Sequence, residues 1–95
     1  MATRARVQDL HEVLLDESKL GVDWVLCLQW CRYIFDDGTL RYGYRFIWRK
    51  PDGKLQAARG QARIPSLDAM KTLMEKATAA GWGDKVDNSP KHDNK

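Results

Sequence analysis

Only two cysteines, two histidines and three prolines occur in the 95 residues, and no uninterrupted apolar run reaches membrane-spanning length. A spanning helix needs about 20 consecutive apolar residues, so no membrane segment is expected. The opening Met1-Ala2-Thr3-Arg4-Ala5-Arg6 lacks the apolar stretch of a secretory leader, which leads to the expectation of a cytoplasmic protein. Cys27 and Cys31 lie four apart in a segment that reads as a strand, about 13 Å from each other at ~3.3 Å per residue. Bridged Cα atoms must lie within about 7 Å, so the spacing excludes a disulfide between them and predicts buried apolar thiols. His11 and His92 are far apart and no second close ligand pair exists, so neither a metal nor any other cofactor is expected.

Catalytic signatures are equally scarce. There is no Gly-x-x-x-x-Gly-Lys-Ser/Thr loop, and Pro51-Asp52-Gly53-Lys54 is fully explained as a turn. A nucleophile–base pair would need His11 to face Cys27 or Cys31, and the adjacent carboxylates Asp36 and Asp37 read first as hairpin-tip residues. The expectation is a protein that binds and does not catalyse.

What is present is a concentration of positive charge. The net charge is +3, yet residues 32–63 alone hold eight cations against three anions. The basic excess therefore belongs to the middle third. Residues 1–83 read as one small α+β domain and residues 84–95, polar and without periodicity, as a disordered tail.

Period and turn chemistry give the local elements. Val7, Leu10 and Leu14 follow the i, i+3, i+7 spacing of a helix over Thr3 to Lys19, with Asp9, Glu12 and Asp16 on a different face. Val22 to Phe35 is rich in Trp, Val, Leu and Cys, and it ends at Asp36-Asp37-Gly38-Thr39, a hairpin signal. Leu40 to Arg49 alternates Tyr42, Tyr44, Phe46 and Trp48 with basic or small residues. A second turn at Pro51-Asp52-Gly53 leads into a predicted strand from Leu55 to Ile64. Ser66 caps a final helix with apolar stripe Leu67, Met70, Leu73, Met74 and Ala77, which stops at Gly81. The predicted order is α-β-β-β-α, a three-stranded antiparallel β-meander with the C-terminal helix packed on one face and an N-terminal amphipathic helix.

A two-residue turn at Asp37-Gly38 sets Phe35 opposite Leu40 and Cys27 opposite Trp48, so the core face holds Cys27, Gln29 and Cys31 with the aromatics of the next strand. The opposite face then carries Trp24, Leu26, Leu28 and Trp30 beside Arg41, Arg45, Arg49, Arg59 and Arg63. In this register Arg45 lies opposite Arg59 and Arg41 opposite Arg63, a repulsion that calls for an anion. The protein's own Glu12, Asp16 and Glu17 can supply it, and so can nucleic-acid phosphates.

The meander followed at once by a helix, with Gly-Tyr-Arg-Phe-Ile-Trp-Arg-Lys-Pro-Asp-Gly-Lys at residues 43–54, is similar in shape to the arm-type DNA-binding domains of tyrosine recombinases. The likeness spans roughly residues 25–80 and implies a sheet face that enters the major groove. The leading expectation is association with DNA or RNA through Arg41, Arg45, Arg49, Lys54, Arg59 and Arg63, with Trp30 as a stacking platform. The alternative is a protein-interaction or self-associating accessory domain, with a protein partner or a homodimer meeting Trp24, Leu26 and Leu28.

Overall fold

The computed structural model describes residues 5–56 and 62–87. Its element order is β1 (Ala5–Leu14), β2 (Val25–Phe35), β3 (Leu40–Arg49) and α1 (Leu67–Ala79), with short 3₁₀ turns at Glu17–Lys19 and Trp82–Asp84. The three strands form one antiparallel sheet in the order β1-β2-β3. The α+β class and the C-terminal helix are as the sequence implies.

The N-terminal segment corrects the sequence reading, because Ala5–Leu14 is a strand and not a helix. A register shift between Asp9 and His11 marks a bulge at Leu10. The extra residue breaks the period of two, so Val7, Leu10 and Leu14 acquire a spacing that imitates a helix. The third strand of the meander is thus this N-terminal one. Leu55 forms only an isolated bridge with Arg49, and Gln56 N–H donates to the Trp48 carbonyl at 2.9 Å. The remainder of the predicted Leu55–Ile64 strand includes residues 57–61, which lie outside the described residues.

The β2–β3 connection is one residue longer than the two-residue turn. Phe35 N–H donates to the Thr39 carbonyl at 3.0 Å, and Gly38 takes φ +89° between them. Ile34 therefore pairs with Leu40, Trp30 with Tyr44, Leu28 with Phe46 and Leu26 with Trp48. A one-residue slip exchanges the faces of a strand. Leu26, Leu28 and Trp30, expected on the outer face, lie on the helix side, while Cys27, Gln29 and Cys31 turn to the other.

Helix α1 starts at Ser66, whose hydroxyl accepts from Ala69 N–H at 3.1 Å, and Gly81 after its C-terminus has φ +88°. It packs over β1 and β2. Ala69, Leu73 and Ala77 meet Leu26, Leu28 and Trp30, and Trp82 folds back to complete the core. Lys76 ties the helix to the end of β1 by donating to the carbonyls of Leu14 (2.7 Å) and Leu15 (3.2 Å). Residues 84–87, read as the start of a disordered tail, make defined contacts as far as Asp87, whose carboxylate lies 3.5 Å from Arg41. Residues 88–95 lie outside the described residues. Among the described residues no helix is long and apolar enough to cross a membrane.

Candidate interaction surfaces on the two sheet faces

The face away from α1 is organised around β2. Cys27, Gln29 and Cys31 are all fully buried there. Gln29 Nε2 donates to Glu12 Oε1 at 2.6 Å, and Arg45 Nε donates to Gln29 Oε1 at 2.8 Å. Arg49 reaches the same carboxylate through Nη2 at 2.6 Å and Nε at 3.2 Å, and it also donates to the Gly53 carbonyl. Such a charge-assisted fork is a strong pairing, and the Glu12 carboxylate raises the pKa of Arg49 further. Burial pushes the Cys27 thiol up to about 11 and also raises Cys31, so both remain protonated and unreactive near neutral pH. Among the described residues no three His, Cys, Asp or Glu side chains gather as a metal site.

The expected nucleic-acid residues are dispersed by this arrangement. Arg45 and Arg49 share the network face, and Arg41 is held by Asp87. Arg63 lies on the helix side, its guanidinium 5.7 Å from the Trp48 ring centre, while its carbonyl accepts from Trp48 Nε1 at 2.8 Å. Lys54 sits on the 50–54 hairpin, its backbone N–H held by Asp52 at 2.8 Å. Arg59 lies outside the described residues. Trp30 is 7% exposed and already packed against Tyr44 (ring centres 4.8 Å apart) and Tyr42 (5.9 Å), so it is a core residue and not an open platform. Leu26 and Leu28 are likewise core, buried beneath α1 by the changed register, which leaves Trp24 as the exposed member of the expected apolar patch.

The helix side exposes what the sequence reading assigned to the core. Ala69, Leu73 and Ala77 point inward, but Met74 stands about 100° around the helix from Leu73 and is half exposed, and Leu67 is 82% exposed. The predicted stripe is wider than the sheet can cover, and that excess width was the available signal. Lys71, Glu75 and Thr78 share this outer face by the same helical spacing. Because α1 lies over β1 and β2, it leaves a cleft of about 470 Å³ beside β3, with Leu28, Phe46, Met74 and Trp82 among its walls and Lys85 and Val86 at its border.

Comparison with known proteins finds no matching family model, no matching curated protein and no matching solved structure.

Proposed function

We propose that this is a non-catalytic, self-associating interaction domain in which two copies pair through the outer face of α1. The observation that carries the reading is a helix whose exposed face holds Leu67 and Met74 beside two opposite charges, Lys71 and Glu75, that form no ion pair among the described residues. Exposed apolar residues rimmed by charge characterise interfaces, and methionine adapts to a partner surface. The face is also complementary to itself. An antiparallel pairing about a twofold axis sets Lys71 of each copy beside Glu75 of the other with Met74 near the centre. Nucleic-acid binding is the weaker reading, since Arg41 and Arg49 already hold carboxylates and Arg45 holds an amide.

Sedimentation velocity across the micromolar range tests this. The expected result is a dimer at high concentration that Met74→Glu abolishes with an unchanged circular dichroism spectrum. Lys71→Glu and Glu75→Lys should each be monomeric alone and should pair when mixed, because mixing restores both ion pairs. A wild-type chain that stays monomeric throughout overturns the reading. Salt-dependent oligonucleotide binding lost in Arg45→Glu would instead move the working surface to the other sheet face.

A further inference from the structure

We propose that the cleft between α1 and β3 binds an apolar monocarboxylic acid, its body between Phe46, Met74 and Trp82 and its carboxylate at Lys85. The inference goes beyond self-association and does not rest on it; the two readings share Met74, so the titration is run at concentrations where the chain is monomeric. The cleft's volume of about 470 Å³ suits a small amphiphile, and its floor at Leu28 belongs to the fixed core.

The polar groups around it decide the head group. Tyr44 hydroxyl donates to the Lys85 carbonyl at 2.6 Å and lies 3.2 Å from that of Trp82. Thr78 hydroxyl donates to the Met74 carbonyl at 2.9 Å. Both hydroxyl donors are therefore spent within the protein. Lys85 is the only charged residue lining the cleft among the described residues, it is half-buried, and its ammonium has no hydrogen-bond or ion-pair partner there. Apolar walls with one unpaired cation favour a ligand that is apolar with one negative charge, because the charge supplies the counterion and the body supplies burial. A neutral alcohol gains only the burial, and an alkylammonium of equal length meets repulsion. The occupant is a free acid in solution, since one cleft bordered by a single cation matches one chain and one carboxylate.

Isothermal titration of the full chain with hexanoate, octanoate and decanoate below their micelle concentrations, and with octanol and octyltrimethylammonium, tests this. One decanoate should bind per chain, and each two added methylenes should tighten Kd by about tenfold. Octyltrimethylammonium should bind at least about tenfold more weakly than octanoate, and Lys85→Glu should cost decanoate about the same factor while leaving the circular dichroism spectrum unchanged. Lys85→Gln should erase the preference for octanoate over octanol. Absence of decanoate binding, equal affinity for octanoate and octyltrimethylammonium, or wild-type affinity in Lys85→Glu would each overturn the proposal.

Discussion

On the helix side of the sheet Leu26, Leu28 and Trp30 are covered by a second layer, whereas Cys27, Gln29 and Cys31 reach the same low exposure under the side chains of neighbouring strands. The first side is held by close packing of apolar volume. The second is held by a carboxylate, an amide and two guanidinium groups that satisfy one another over a pair of thiols. No buried side-chain nitrogen or oxygen lacks a hydrogen bond among the described residues, so the polar face is complete. Among the described residues, this face of β2 is closed off by the paired long side chains of neighbouring strands, with no second layer above it. The two faces should then fail for different reasons.

The largest effect is expected on the packed side. Leu73→Ala removes a fully buried side chain between α1 and the sheet and should cost about 2–5 kcal/mol, read from urea denaturation. A cost below about 1 kcal/mol would mean that the helix layer is not what buries β2. On the polar side, Glu12→Ala leaves Arg49 without its carboxylate and Gln29 without its acceptor, with an expected loss of about 1–3 kcal/mol in the same measurement. Glu12→Gln should recover part of it. Lys76→Met releases the tether between α1 and β1 and should cost about 1 kcal/mol, visible as faster amide exchange at Leu14 and Leu15.

A further effect is one of pH. Because the folded pKa of Cys27 lies above its ordinary value of 9.0, its contribution to stability is intact below about pH 9 and is lost as pH rises toward about 11. The urea midpoint should fall across that window, and Cys27→Val should reduce the fall. An identical slope in the variant would show that the thiol is not the group responsible.

Much of this architecture was legible in the chain. The alternation from Leu40 to Arg49, the turn at Pro51-Asp52-Gly53 and the Ser66-to-Gly81 helix each follow from local chemistry, and each is present. The first strand was not, because its pairing with β2 is non-local and its bulge disguises the period. The register differs from the expectation for a smaller reason: Asp36-Asp37-Gly38 forms a loop of three residues, and Asp-Gly suggests two. That single residue moved Trp30 from an outer platform to the core and separated it from Arg45. Gln29 shows why the longer loop wins, since the alternative would carry its buried amide to the side of Phe46, away from Glu12 and Arg45, at about 1–3 kcal/mol. The cleft was unreadable in advance because it depends on how far α1 sits from β3.

The bulge at Leu10 bears on how the chain behaves when crowded. β1 is an edge of the sheet, and a flat ten-residue edge of open backbone groups would template the addition of further strands and the growth of fibrils. A kink in its middle, flanked by the exposed charges of Arg6 and Asp9, denies an incoming strand a continuous ladder. A kinked, charged β1 edge is thus a poor template for added strands, even in a molecule that carries an exposed apolar helix face.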